Sequence, residues 1–405
     1  MRNYLFFDNA STTKCCKAAT DLLQRYADED FGNPSSSHAL GQQAARAIRE
    51  ARVFFAETFK VSPEQVIFTG SGSEADNLAV YGVAMEALVR QKRTGGPSPR
   101  VIASATEHPA VRKTVQSLTA LGIDAQLVPV DSKGQINKEK LLELLTPETV
   151  LVSIQRVNNI VGSLLPVEEL AKLCKEKVPH LTFHTDAVQA FGKVEVPTFP
   201  SQVDLISISA HKIHGPKGVG AMIVLNKKLL KNGIRPLIWG GEQEGGFRSG
   251  TQSAGLIAGF HVAAAQSLKD REGFLEHCGT LQEYLEKQLR KHGLLDDQPS
   301  KSKLHWNSPR EGVPYIVSLS VPGFPSGPLA KLLEERNCLV STGSACSSQK
   351  TEPDPVLSAM GLSSQIYGSA IRISFSSSIQ KKDIDTLVQA LDESIQLMAQ
   401  LLGGR

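Results

Sequence analysis

The hydrophobic pattern changes period along the chain. Short β-branched runs occur at residues 66–69, 101–104, 127–130, 150–154, 181–184, 205–208 and 219–224. Stretches with helical spacing separate most of them, among them residues 74–91 and 166–176. Strands alternating with helices predict an α/β fold whose mostly parallel sheet is covered on both faces. Such a sheet takes its ligands beyond the carboxyl ends of its strands. Polar residues just after each apolar run are therefore the first candidates for chemistry.

From about residue 260 the texture differs. Two long helical patterns span 255–269 and 274–292, followed by a polar loop at 294–303. A strand at 316–321, a Pro/Gly-rich loop at 322–328, a helix at 329–336 and a strand at 371–375 come next. The closing helix carries Ile384, Leu387, Val388, Leu391, Ile395, Met398 and Leu402 on one face, a packing stripe. These changes predict a large domain over 15–260 and a smaller α+β domain made of 1–14 and 261–405.

Composition adds mainly exclusions. The 405 residues hold 44 basic and 41 acidic side chains, a net charge of +3. That balance gives no reason to expect nucleic acid or an anionic membrane as partner. The most apolar stretch, around 254–265, is too short to cross a bilayer and contains His261. Six cysteines are too few for a disulfide scaffold and form no C-x-x-C pair. Asp8 stands where a signal peptide would continue its apolar core, so a cytoplasmic location is expected.

Three motifs carry candidate chemistry. Thr69-Gly70-Ser71-Gly72-Ser73-Glu74 follows a strand and opens a helix. Its glycines, hydroxyls and free N–H groups suit a phosphate. No Gly-Lys-Ser/Thr follows, and Glu74 occupies the place of the third glycine of a dinucleotide fingerprint. Taken alone, the run also fits a Ser-capped helix. At a second strand end, Asp186 can pair with a buried cation or cap a helix, and Gln189 can donate to an oxygen. In Ser209-Ala210-His211-Lys212, the lysine sits between an apolar strand and a Gly/Pro turn. A partly desolvated lysine there loses its proton easily and forms an imine with an aldehyde.

A phosphate cradle, an acid for a ring nitrogen and an imine-forming lysine together meet the needs of pyridoxal 5′-phosphate. His184, Asp186, His211 and His214 are open to a rival reading as the ligands of a metal-dependent hydrolase. That reading leaves the phosphate cradle without purpose, and no metal is expected. Cys346, among small polar residues with Lys350 nearby, has the surroundings of an exposed nucleophilic thiol, though on this run alone an incidental loop cysteine fits equally well. Arg372, inside an apolar strand, needs an anion, either a substrate carboxylate or an internal Asp or Glu.

These motifs, with Phe7-Asp8-Asn9-Ala10-Ser11-Thr12-Thr13, Gly32-Asn33-Pro34-Ser35, Glu107-His108, Asn158-Asn159 and Arg248-Ser249-Gly250-Thr251, resemble the NifS/IscS-type cysteine desulfurases. Those belong to the class V aminotransferases, pyridoxal enzymes of the aspartate aminotransferase-like fold-type I. Ser344-Ala345-Cys346 resembles the branch with a long cysteine loop.

The resemblance implies that Lys212 holds the cofactor and shuttles the substrate proton. His108 would stack on the ring, Asp186 pair with its nitrogen and Gln189 meet its hydroxyl. Ser73, Ser209, His211 and the Gly72 backbone would hold the phosphate, with Thr251 reaching in from the other subunit of a homodimer. Asn159 and Arg372 would bind the carboxylate of L-cysteine. Cys346 would take the sulfur as a persulfide, with L-alanine leaving, and pass it to an acceptor such as an iron–sulfur scaffold. Ile160 departs from the family, which commonly has Glu there, and this is expected to alter hydrogen bonding beside the ring. Gly72 and Ser73 replace a common Ala and Thr. A selenocysteine lyase, another fold-type I enzyme and an inactive sulfur-assembly subunit remain alternatives at this point.

Overall fold

The computed structural model describes residues 4–298, 303–342 and 354–403. Among the described residues, twelve strands are assigned. They are β1 (Leu5–Phe6), β2 (Val66–Thr69), β3 (Arg100–Ser104), β4 (Asp124–Val128), β5 (Thr149–Ser153) and β6 (Thr182–Asp186). β7 (Leu205–Ser209), β8 (Gly220–Val224), β9 (His305–Trp306), β10 (Ile316–Ser320), β11 (Cys338–Leu339) and β12 (Ala370–Ser374) follow.

The central sheet has the order β2-β8-β7-β6-β5-β3-β4. β8 runs antiparallel to both neighbours, and the other pairings are parallel. Every residue of β2, β6, β7 and β8 is buried, because helices cover both faces. Alternate side chains enter two different cores. Phe183, Ile206, Ile208 and Ile223 pack on one face with Phe55, Phe191 and Phe260. Ile67, Leu205, Met222 and Val224 pack on the other with Leu78 and Val83 of the helix Gly72–Thr94.

The run expected at 127–130 is displaced toward the N-terminus. β4 starts at Asp124, whose carboxylate takes Arg100 Nε at 2.6 Å across the ladder. Pro129, which has no N–H to give the ladder, stands just past its end.

β10 pairs antiparallel with β9 and β12, while β1 pairs parallel with β11. Asp8 bridges to Ser374. The chain start therefore lies against its C-terminal third, and residues 10–13 run on to the loop after β7, where Thr13 N donates to the His211 carbonyl. In the helix Lys381–Gly403, Ile384, Leu387, Val388, Leu391, Ile395 and Met398 are all buried, as their spacing predicts.

Candidate active site

Four parallel strands end around one hollow. β2 leads into the Gly70–Gly72 turn, β5 into Gln155–Asn159, β6 into Asp186–Gln189 and β7 into Ser209–Lys212. The hollow has a volume of about 300 Å³. Gly72, Ser73, His108, Asn159, Asp186, Gln189, Ser209, His211, Lys212 and Arg372 all line it. Thr251 does not; it is exposed and lines a separate cavity with Asn33, Pro34 and Gln252. Cys346 lies outside the described residues.

The glycine-serine turn is held from two sides. Ser71 caps the helix Gly72–Thr94, its Oγ accepting from Glu74 N at 3.0 Å. Glu74 reaches back to accept from Gly70 N at 2.8 Å and from Arg248 Nε at 2.9 Å. This carboxylate, read in the sequence only as a departure from the dinucleotide pattern, thus fixes the loop. A Cβ on Gly72 would lie 2.8 Å from Val188 Cγ2 and 3.0 Å from Ser209 Cβ, so the close approach requires glycine. The buried Ser209 Oγ has no protein partner.

Lys212 Nζ donates to the carbonyls of Ala10 and Ser11, each at 2.7 Å. Desolvation, with Arg372 nearby, lowers its pKa to about 8 although Asp186 and Asp8 pull the other way. A substantial fraction is therefore free amine near neutral pH. His108 caps the helix Pro109–Ser117, its Nδ1 accepting from Ala110 N at 3.2 Å, which puts the ring proton on Nε2. Burial, then Lys212 and Arg372, lower its pKa to about 4, so the ring is neutral. His211 Nδ1 meets Thr12 Oγ1 at 3.1 Å, and burial lowers this histidine to about 4 as well.

Asp186 accepts from Val188 N at 2.8 Å, and burial raises its pKa. Two further buried carboxyls stand near it, Asp76 and Glu107, both 1% exposed. Asp76 is pushed well above the carboxylate range by burial and then by Asp186, and its Oδ1 has no hydrogen-bond partner. Glu107 takes Gln155 N at 2.8 Å and is raised well above its ordinary value by burial. Asp76 escaped the sequence reading. Its one signal is an acid between Ala75 and Leu78 on the apolar face of the helix.

Arg372 is 3% exposed. Its Nη2 donates to Asp8 at 2.8 Å and Ser11 Oγ at 2.6 Å, and its Nη1 to the Asn159 carbonyl at 2.7 Å. The internal ion pair read as one alternative for this arginine is therefore present, yet its buried Nε stays unpartnered beside the cavity. Ile160 stands in the same segment after β5. It does not line the cavity but packs with Val356, Leu357 and Met360, while Asn158 Oδ1 accepts from its N–H at 2.9 Å.

The four groups of the metal reading are separately engaged. His184 meets Ser153 at 2.8 Å and Ser207 at 2.9 Å through its two ring nitrogens, and His214 Nδ1 meets the Lys14 carbonyl at 3.0 Å. Among the described residues no three His, Cys, Asp or Glu groups gather to hold a metal ion.

A desolvated lysine, a buried acid and a glycine-serine turn at the ends of β7, β6 and β2 are the outfit of a fold-type I pyridoxal enzyme. The chain belongs to the class V aminotransferase family, whose pattern matches residues 5–387, and within it to the NifS/IscS-type cysteine desulfurases. It is 34% identical to the cysteine desulfurase IscS of Dictyoglomus turgidum, over 98% of this chain and 95% of that one. It is 31% identical to the mitochondrial cysteine desulfurase of Saccharomyces cerevisiae, over 98% of this chain and 76% of that one. A solved NifS-like protein superposes with a TM-score of 0.86 at 32% identity, covering 97% of this chain and all of the other. SspA in complex with cysteine superposes with a TM-score of 0.77 at 30% identity, covering 91% and 98%.

The family uses pyridoxal 5′-phosphate, and the cavity fits it. The unpartnered Ser209 hydroxyl and the space kept by Gly72 suit a phosphate. The Lys212 amine and the Asp186 carboxyl line the same hollow, as an aldehyde and a ring nitrogen on one flat group require.

Proposed function

We propose that this chain takes sulfur from L-cysteine, releasing L-alanine and leaving a persulfide on Cys346. Bound in the cavity, pyridoxal 5′-phosphate supplies an aldehyde and a ring that withdraws electrons from the substrate Cα. The single observation that carries the reading is the Lys212 amine, its pKa lowered to about 8, in one cavity with Asp186, His108 and Ser209.

The protein groups divide the work. Lys212 holds the aldehyde and then, as a free amine, moves the Cα proton. Asp186 holds a proton on the ring nitrogen, and Gln189 donates to the ring hydroxyl. Neutral His108 covers the ring face and keeps an Nε2 proton to give. Ser73, Ser209, His211 and the Gly72 N–H hold the phosphate, with Thr251 supplied by the second subunit of a homodimer. Arg372 and Asn159 hold the substrate carboxylate. At Cys346 the thiolate attacks the substrate sulfur. The C–S bond breaks with its electron pair left on carbon, a proton goes to Cβ, and an S–S bond forms.

The persulfide passes to a thiol of an acceptor protein, such as an iron–sulfur scaffold, in a reducing compartment such as the cytoplasm. Among the described residues Cys15, Cys16, Cys174, Cys278 and Cys338 are all free thiols, and no helix is long and apolar enough to cross a membrane. The test is alanine and sulfide release from L-cysteine by the cofactor-loaded protein. Cys346→Ala should lose sulfur transfer while keeping the visible absorbance of the bound cofactor. Full sulfide release by Cys346→Ala would overturn the assignment of the nucleophile.

A further inference from the structure

Lys193 is a buried lysine outside the cavity, only 8% exposed. Gly192, at φ +74°, turns the chain so that Lys193 points inward, and a Cβ there would come within 3.0 Å of Ser267 Cβ. Four residues separate Lys193 from Gln189, and the turn between them brings Lys193 Nζ to 3.5 Å from Gln189 Oε1. Tyr315 ties the two together. Its ring centroid lies 5.1 Å from Lys193 Nζ, and its hydroxyl donates to the Gln189 carbonyl at 2.8 Å.

A side-chain amide has one accepting end and one donating end. Lys193 offers only donors to Gln189 Oε1 when charged, and still has N–H to donate when neutral. At the opposite end Gln189 Nε2 donates to the Ala10 carbonyl at 2.7 Å. Both contacts demand the same orientation, with the NH2 group on the cavity side.

We propose that Lys193 is a positioning residue that locks the Gln189 amide with its N–H donors facing the cofactor's ring hydroxyl. This rests on the reading of the cavity as the cofactor site. A fixed N–H donor stabilises the hydroxyl in its ionised form and so weakens that oxygen's hold on a proton at the neighbouring imine nitrogen. Losing the lock leaves the amide held at one end only, by the Ala10 carbonyl, so its donor is less firmly fixed and the imine proton is held to higher pH.

The other charged and titratable groups around Lys193 are Lys212, Arg372, Cys278, His211 and His214, with Tyr315 beneath it. Burial and then Lys212 lower its pKa to about 7, with Cys278 opposing and Arg372 adding. Removing a cation here also favours the imine proton directly, so the two routes must be separated.

The test is a pH titration of the visible absorbance of the cofactor-loaded protein, without substrate. Lys193→Met should move the midpoint up by roughly half a pH unit, about threefold in the ionisation constant. Lys193→Arg, which keeps the donor and the charge, should restore it. In a Gln189→Leu background Lys193→Met should move nothing further. An unchanged midpoint in Lys193→Met, or the same upward shift in the Gln189→Leu background, overturns the proposal. Should Lys193→Met fail to fold, Lys193→Leu, which likewise has no donor, carries the same expectation. If the unsubstituted protein has no such absorbance, or keeps it in Lys212→Ala, the reading of the cavity itself fails.

Discussion

Gly72 and Val188 touch across the floor of the cavity: a Cβ on Gly72 would stand 2.8 Å from Val188 Cγ2. The turn after β2 and the turn after β6 close on one another here with no side chain on Gly72, and a Cβ there would force Val188 to shift. Gly72→Ala ought to raise intrinsic helix propensity at the start of the helix Gly72–Thr94. The overlap should outweigh that gain by about 1–2 kcal/mol, loosening cofactor retention roughly tenfold. Gly72→Ala with Val188→Ala should recover most of it. Equilibrium dialysis of the cofactor checks both, and retention unchanged in the single variant would show that the floor can yield.

Lys212 should set the pH dependence of cofactor uptake. Only the neutral amine attacks an aldehyde, and desolvation lowers its pKa to about 8. Below that pH the ammonium dominates, and above it the amine does. Stripped protein mixed with pyridoxal 5′-phosphate should therefore gain visible absorbance about tenfold faster at pH 9 than at pH 7. A rate still climbing tenfold per unit above pH 9 would return Lys212 to the ordinary lysine range.

Asp76 and Asp186 should respond oppositely to the same change. Burial and the neighbouring Asp186 keep Asp76 in its protonated form, so Asp76→Asn replaces one neutral group by another. Turnover should stay within about threefold. Asp186→Asn removes the charge that holds a proton on the ring nitrogen and should cost on the order of a hundredfold in kcat. Equal losses in the two variants would contradict a neutral Asp76.

Much of this site was legible because its parts follow fully buried strands. Asp186, Ser209 and Lys212 each stand at or just past the end of an apolar run, where a parallel sheet takes its ligand. Asp76 and Lys193 were not legible. Asp76 lies on a helix, and whether such a residue is buried depends on which face meets the sheet. Lys193 follows Gly192 in a short polar break, and residues far along the chain, Tyr315 among them, pack around it. Nor was it legible that Asn159 lines the cavity while the next residue, Ile160, packs with Val356 and Met360. The two ends of β4 slipped because Pro129 looked like part of an apolar run and an ion pair outside it decided the register.

Arg372 should show its charge in KM. Its guanidinium is anchored by Asp8, Ser11 and Asn159, leaving the buried Nε unpartnered, and the residue lines the cavity. Lysine cannot reproduce this planar set of donors. Arg372→Lys should raise KM for L-cysteine on the order of tenfold or more, with cofactor retention unchanged. Steady-state alanine formation measures the first and dialysis the second. An unaltered KM would leave Arg372 as a purely internal partner of Asp8.

The central claim is that Lys212 carries the cofactor. Borohydride reduction of the loaded protein, followed by proteolysis and mass spectrometry of the peptides, locates the attached lysine. The pyridoxyl adduct is expected on the peptide containing Lys212 and on no other. An adduct on a different lysine, or none in protein that shows the visible absorbance, would contradict it.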